Sequence, residues 1–183
     1  MATAEALMTA EEFGQRPDPG YPEELIQGRI VAMPPPDRRH GYICAGAAAF
    51  LRNFAVEHDL GRVMSNDSGV ITERDPDTVR GADVAFYSYA RLPKGPLPAG
   101  YGPEVPELVI EVRSPGDSWR EIVIKVGEYL KAGVLKVVVL DPRSRKAHIY
   151  SVDDEPSVLG PEDELTVPEL LGEFRVAVHR FFD

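Results

Sequence analysis

The sequence predicts an α/β fold in which a central mixed β-sheet is flanked by helices. Short apolar runs rich in β-branched residues alternate with two long stretches whose apolar residues recur at helical spacing. The strand–helix–strand pattern of residues 107–140 implies two parallel strands joined by a crossover. A chain of 183 residues, 43% hydrophobic and 27% charged, has the size and composition of one globular domain. We therefore predict a single domain over residues 1–183.

The N-terminal segment, residues 1–36, is predicted to form a short helix and a hairpin. Thr9 and Glu12 have the spacing of a capping box, which starts the helix, and prolines and a glycine follow it. Residues 24–33 alternate in part between apolar and polar side chains. They predict two strands, with Gln27-Gly28 as the turn between them.

The middle of the chain is predicted to form a long helix, three short strands and a loop. Apolar side chains recur at helical spacing over residues 41–58, and strand patterns follow at 62–64, 69–72 and 82–87. Residues 92–106 hold five prolines and three glycines, which exclude a regular element. They predict a long surface loop, and such loops often serve as lids over a substrate.

The second half is predicted to open with the strand–helix–strand unit. Its strands span residues 107–112 and 136–140, and a second capping box opens the helix of residues 118–132 between them. A hairpin strand, an acidic loop, a helical turn and a last strand follow in order, at residues 147–152, 153–164, 167–171 and 174–178.

Charge and composition limit the classes of function. The formal net charge of −10 argues against a nonspecific nucleic-acid binder, although a local basic patch or bound cations could compensate for it. Cys44 is the single cysteine, which excludes an intrachain disulfide and favours a reducing compartment. Residues 1–7 lack the basic segment and apolar core of a signal peptide, and no apolar run could cross a bilayer. We expect a cytoplasmic protein that does not associate with membranes.

Two acidic residues, Asp83 and Glu111, lie in apolar runs predicted as core strands. A buried carboxylate is costly unless it is paired or bound to a metal. If the two strands are neighbours, the acids converge near one end of the sheet, and the small Ala85 leaves room beside Asp83. One or two carboxylates are enough to hold Mg²⁺, or Mn²⁺, which prefers the same oxygen ligands. The alternative is structural: Glu111 pairs with Arg113, and Asp83 caps a turn.

Lys125 is a third candidate site residue. It lies at the edge of the apolar stripe of the predicted helix, from which a long side chain can reach a neighbouring site. In a nuclease, its ammonium group would stabilise negative charge on the phosphate or position the attacking water. The alternative is a surface ion pair with Glu121, four residues earlier on the same helix.

His40 opens the first long helix, directly after Arg38 and Arg39. It could contact a phosphate or transfer a proton, and the alternative is a surface or capping residue. These three residues form one of the few basic clusters of the chain. The sequence has no Gly-rich phosphate loop, no Cys/His set with the spacing of a zinc site and no nucleophile elbow.

Several motifs follow one another along nearly the whole chain. They are residues 24–28 (ELIQG), His40, 83–86 (DVAF), 106–115 (PELVIEVRSP), 125–133 (KVGEYLKAG) and 138–142 (VVLDP). In this order they resemble the Uma-two family, a group of bacterial proteins assigned to the PD-(D/E)XK nuclease superfamily. The resemblance implies a restriction-endonuclease-like fold, with helices on both sides of a mixed sheet.

The resemblance also implies roles for single residues. Asp83 and Glu111 match the two metal-binding acids of the superfamily. The lysine expected two positions after the second acid is replaced by Arg113, and the family's lysine on the following helix corresponds to Lys125. Glu24 and His40 match accessory positions near the site. A guanidinium stays protonated and cannot act as a base, so Arg113 argues against full nuclease activity.

We therefore predict a Mg²⁺- or Mn²⁺-dependent endonuclease that hydrolyses DNA. Asp83 and Glu111 would bind the metal, Lys125 would stabilise the transition state, and the two accessory residues would assist. The alternative is a nuclease-fold protein of weak or no activity with a binding or regulatory role, which the net charge and Arg113 favour. A hydrolase of a small phosphorylated metabolite also fits the acidic composition, although no motif specifies it.

Apolar residues at two places favour self-association. Ile124 lies on the predicted outer face of its helix, and Phe181-Phe182 lie near the C-terminus. We expect a homodimer, and the alternative is that these side chains pack locally.

Overall fold

The structure, a computed structural model, describes residues 7–183. The start of the predicted domain and nearly all of the segment without signal-peptide features lie outside the described residues. The helices are Ala10–Gly14 (α1), Arg38–Glu57 (α2), Trp119–Ala132 (α3), Pro168–Leu171 (α4) and a 3₁₀ helix, Val178–Phe181. The strands are Glu23–Ile26 (β1), Arg29–Ala32 (β2), Gly61–Glu73 (β3), Thr78–Ser88 (β4), Leu108–Val112 (β5), Lys136–Asp141 (β6), Lys146–Ser151 (β7), Ser157–Leu159 (β8), Glu164–Thr166 (β9) and Arg175–Ala177 (β10).

One mixed sheet organises the fold and confirms the predicted class. Its strands run in the order β2-β1-β4-β5-β6-β7-β8, with β3 paired to β4, while β9 and β10 form a separate pair. Strands β5 and β6 are parallel and are joined by α3, as the strand–helix–strand pattern predicted. The predicted turn between β1 and β2 is also present, because Gln27 and Gly28 both have positive φ angles, of 49° and 73°.

Two local expectations were wrong. The strands predicted at 62–64 and 69–72 are one continuous strand, β3, with a bulge between Ser65 and Ser68. The predicted acidic loop contains β8, a strand of three residues that is too short to give a sequence signal. The loop of residues 92–106 holds no helix or strand, as predicted.

Helices α2 and α3 pack on opposite faces of the sheet and bury two separate apolar clusters. On one face, residues of α2 spaced three or four apart contact the even-numbered residues of the central strands, such as Val84 and Ile110. On the other face, Ile122, Val126 and Tyr129 of α3 contact the odd-numbered residues. Glu111 contacts Lys125 and Tyr129 of α3. The carboxylate of Asp83 contacts the Val112 amide and His40 of α2.

The apolar residues on which the homodimer prediction was based differ in their exposure to solvent. Phe181 and Phe182 are only 1% and 9% exposed and belong to the core beneath α2, so local packing is the correct interpretation for them. Val123 and Ile124 on α3 remain about half exposed, at 50% and 49%. Within residues 7–183, no helix combines the length and the apolar character that crossing a membrane requires.

Candidate active site

The pairing of β4 with β5 brings the two predicted acids together. Val84 pairs with Ile110 and Ala85 with Val109. Asp83 and Glu111 are the next residues beyond these pairs, at the same end of the two strands. Both residues are nearly buried, at 6% and 5% exposed. They nevertheless line one cavity of about 130 Å³, which is partly open to solvent and also lined by Glu24, His40, Asp67 and Lys125.

Asp83 is held through one of its two oxygens. Its Oδ2 atom accepts a hydrogen bond from the Val112 amide at 2.6 Å and lies 3.3 Å from His40 Nε2. No donor among the described residues bonds to Oδ1. Asp83 therefore does not cap a turn, and it presents a free carboxylate oxygen to the cavity.

Glu111 contacts α3 rather than the arginine that follows it. Its Oε1 atom accepts a hydrogen bond from the Tyr129 hydroxyl at 2.8 Å, and its Oε2 accepts one from Lys125 Nζ at 3.0 Å. Burial, together with the charge of nearby Asp83, raises the pKa of Glu111 to about 7, even though Lys125 and Tyr129 favour its charged form. Near neutral pH this carboxyl can therefore exchange its proton for a cation.

Lys125 points into the cavity and not towards Glu121, the surface partner considered above. Besides Glu111, its Nζ atom bonds to the Gly81 carbonyl at 2.9 Å and lies 3.4 Å from Glu24 Oε1. Burial lowers the pKa of this lysine, but the carboxylates around it raise the pKa by more, so the amine remains an ammonium ion. Glu121 instead completes the capping box at the start of α3.

Glu24 is positioned by a buried arginine that sequence reasoning missed. Its Oε2 atom receives a hydrogen bond from Arg80 NH1 at 2.7 Å, and its Oε1 receives one from the Gly81 amide at 3.0 Å. Arg80 also makes a two-point contact with Glu128 of α3, at 2.5 and 2.9 Å. The arginine thereby ties β1 and α3 together around the cavity. Arginines in strands usually point to solvent, so the sequence alone gave no signal for this role.

His40 lies against the site, where its Nε2 atom faces Asp83 and its Nδ1 lies 3.4 Å from Cys44 Sγ. Burial opposes a charge on the ring, but the hydrogen bond and charge of Asp83 raise the His40 pKa overall. Burial and Asp83 also raise the pKa of Cys44 well above its usual range, which makes an unreactive thiol. Ligand atoms of His40, Cys44 and Asp83 lie within 4.8 Å of one another and could share an ion, a group that the sequence analysis did not identify.

Asp67 is a further acid that the sequence did not reveal. It lies in the bulge of β3, where Asn66 and Asp67 have φ angles of 65° and 54°. Asn and Asp tolerate this left-handed conformation better than other residues with side chains. The bulge lies so close to Gly81 that a Cβ atom added there would be 3.0 Å from Asp67 Cβ. Burial and the charge of Asp83 raise the pKa of Asp67.

Arg113 is the one predicted accessory residue that does not join the cluster. Its Nε and NH2 atoms donate to the Asp117 carbonyl at 3.2 and 2.9 Å, and NH1 lies 3.5 Å from Asp141 Oδ1. Its guanidinium lies over the Trp119 ring, 5.0 Å from the centroid. Since β5 ends at Val112, Arg113 is free to turn away from the acids, and the considered pair with Glu111 does not form.

The residues of the cavity fit a divalent cation. Six acidic residues line it, among them Glu24, Asp67, Asp83 and Glu111, together with one lysine and one histidine. Burial and mutual repulsion raise the pKa of Glu111 and of Asp67, because a bound proton offsets part of the excess negative charge of the cavity. A hard cation with oxygen ligands would do the same, and the free Asp83 oxygen is available to it.

Comparisons with known proteins agree with this description. Residues 10–179 match the Uma2 family, which is described as "Putative restriction endonuclease". A solved structure from Anabaena variabilis, described as "a putative nuclease belonging to DUF820", superposes with a TM-score of 0.82. The two chains are 21% identical, and the match covers 96% of this chain and 97% of the other. No match was found among curated proteins. The structural likeness confirms the predicted restriction-endonuclease-like fold.

Proposed function

Because the chain belongs to the Uma2 family, described as "Putative restriction endonuclease", we propose that it is a metal-dependent endonuclease that hydrolyses DNA phosphodiester bonds. The observation that carries this proposal is the convergence of Asp83, Glu111 and Lys125 on one cavity that solvent reaches. Two acids able to hold a cation, next to a fixed ammonium group, are the parts that phosphodiester hydrolysis needs.

We assign each residue a role from its contacts. Asp83 and Glu111 would hold Mg²⁺ or Mn²⁺, which when bound polarises the phosphate and lowers the pKa of water. Lys125 would stabilise the negative charge that develops on the phosphate, since its ammonium is fixed by Glu111 and the Gly81 carbonyl. His40 would orient Asp83 through the 3.3 Å contact, and Glu24 would hold Lys125 from the opposite side.

The alternative, a nuclease-fold protein without turnover, is weakened in one respect. A pair between Arg113 and Glu111 would favour it, and Arg113 instead contacts Asp117 and Asp141. The replacement of the motif lysine by Arg113, which cannot act as a base, still supports it. The net charge of −10 remains in its favour. A cation bound among the carboxylates would reduce that charge where a phosphate must approach.

Cleavage of supercoiled plasmid DNA tests the proposal. The protein is expected to cleave with Mg²⁺ or Mn²⁺ and to stop when EDTA is added, and Asp83→Ala and Glu111→Ala should remove cleavage. Asp59→Ala is the matched control, because this acid is 70% exposed and pairs with an exposed lysine, Lys94. Equal cleavage by the wild type and both site variants would indicate a contaminating nuclease and defeat the proposal.

Cation affinity is expected to rise about tenfold between pH 6 and pH 8, because a bound cation must displace a proton whose pKa is near 7. The folded pKa of Glu111 lies above its ordinary value of 4.5. Proton binding by Glu111 therefore stabilises the folded, metal-free protein at pH values below 4.5. This stabilisation is lost as pH rises through the window from 4.5 to about 7. Calorimetric titration with Mn²⁺ at the two pH values measures the affinity. Glu111→Gln should weaken binding and flatten its pH dependence, and equal wild-type affinities at both pH values would contradict the prediction.

We further propose a cytoplasmic homodimer. The half-exposed Val123 and Ile124 on α3 favour the dimer, since adjacent exposed apolar side chains are typical of interfaces. The single cysteine favours a reducing compartment.

A further inference from the structure

A second cavity, of about 280 Å³, adjoins the carboxylate site. The two cavities share His40 and Ser114 in their walls. Three arginines from three separate segments line the second one: Arg39 at the start of α2, Arg113 after β5, and Arg143 in the turn after β6. Such a concentration of positive charge is notable in a chain whose net charge is −10.

The arginines at the start of α2 are placed against the usual electrostatic preference. The N-terminus of a helix carries partial positive charge, so acidic residues are favoured in the first turn and basic ones are not. Helix α2 nevertheless begins with Arg38 and Arg39 and has no acidic residue in its first turn. An anion bound at this end would offset both the arginines and the helix dipole.

The acids that line the same cavity are already engaged by the chain. Asp37 caps α2 by accepting the His40 amide at 2.8 Å. Asp141 accepts the Ser144 hydroxyl at 2.6 Å and the Arg143 amide at 3.2 Å. Among residues 7–183, the guanidinium of Arg39 makes one bond, to the Pro142 carbonyl at 2.6 Å, and a guanidinium has five donors. Arg39 and Arg143 are both exposed, and within the same residues their remaining donors have no partner in the chain.

We propose that this arginine cavity, lined by Arg39, Arg113 and Arg143, binds a backbone phosphate of the nucleic acid next to the phosphate that is cleaved. The assignment rests on the proposed nuclease function for the neighbouring site. Arg113, which occupies the motif position of a lysine, adds positive charge to the wall of this cavity while the Asp117 carbonyl and Asp141 hold its guanidinium. Fork-shaped guanidinium groups suit phosphate oxygens, and the shared wall lets one strand cross both cavities.

Fluorescence anisotropy with a fluorescein-labelled single-stranded oligodeoxynucleotide tests the proposal. All proteins carry Asp83→Asn, which prevents turnover, and Mg²⁺ is present. Arg39→Gln and Arg143→Gln should each weaken binding roughly tenfold. Each should also reduce the slope of log affinity against log salt concentration by about one, because one phosphate contact is lost. Two variants on separate segments guard against a local folding defect in either one.

Arg52→Gln is the matched control, because this exposed arginine lies on the same helix about 20 Å from Arg39. It should leave the affinity and the salt slope unchanged. Unchanged binding in both cavity variants, equal losses in all three variants, or no oligonucleotide binding at all would each overturn the arginine site. Cleavage by the protein with native Asp83 is measured separately. If binding depends on the arginines but no cleavage is seen, the arginine site is supported and the proposed nuclease activity is not. If DNA is cleaved but binding does not depend on the arginines, the nuclease activity is supported and the arginine site is not.

Discussion

Replacing Lys125 with methionine is expected to slow DNA cleavage by about 10²–10³-fold, the loss typical of removing one group that stabilises transition-state charge. Methionine keeps most of the buried side-chain volume and removes the ammonium that lies 3.0 Å from Glu111. Arg113 cannot compensate, because its guanidinium is held by the Asp117 carbonyl. Single-turnover cleavage of an oligonucleotide in saturating Mg²⁺ measures the rate.

The matched control is Lys131→Met, on the same helix. Lys131 is 72% exposed and pairs with Glu73, away from the cavity, so cleavage should be unchanged. Calorimetry should still detect Mn²⁺ binding by Lys125→Met, because Asp83 and Glu111 are retained. A rate close to that of the wild type would show that Lys125 has no part in the reaction.

Arg80→Met is expected to lower the free energy of unfolding by about 3–5 kcal/mol, the cost of removing one partner from a buried ion pair. The variant removes the closer of the two cations beside Glu24, which is only 4% exposed, and leaves Lys125 at 3.4 Å. It also frees Glu128, so that the tie between β1 and α3 is lost. Burial lowers the pKa of Arg80, but its two carboxylates raise the pKa by more, so the native residue stays charged. Urea denaturation measures the change.

Two further variants separate an uncompensated charge from a loss of packing. The double variant Glu24→Gln/Arg80→Met should recover part of the stability, because no buried carboxylate is left unpaired. Arg145→Met removes an exposed pair with Asp183 and should cost less than about 1 kcal/mol. An Arg80→Met loss as small as that of Arg145→Met would mean that Arg80 does not hold the cavity together.

The acids of the site could be located from sequence because burying a carboxylate is costly. Asp83 and Glu111 stand out in the sequence because the residues on either side of each are apolar. Lys125 was a candidate because a charged side chain at the edge of an apolar stripe can reach a neighbouring site. The overall fold followed from local periodicity and from the strand–helix–strand unit around α3.

The rest of the site depends on contacts between residues distant in the chain. Arg80 reaches Glu24 and Glu128, which lie 56 and 48 residues away. Asp67 enters the cavity only because β3 is bulged, and a bulge within a polar run looks like a loop. Tyr129 lies in the buried apolar stripe of α3, but the bond from its hydroxyl to Glu111 needs the sheet register to be known.

The cavity is closed by side chains from both layers that cover the sheet. α2 supplies His40 from one layer, and α3 supplies Lys125 and Tyr129 from the other. If α3 lifted from the sheet, it would withdraw the ammonium and the phenol together and leave several carboxylates facing one another. Their repulsion would then oppose closure until protons or cations arrived. We therefore expect the opening and closing of α3 to depend on pH and on the concentration of cations in solution.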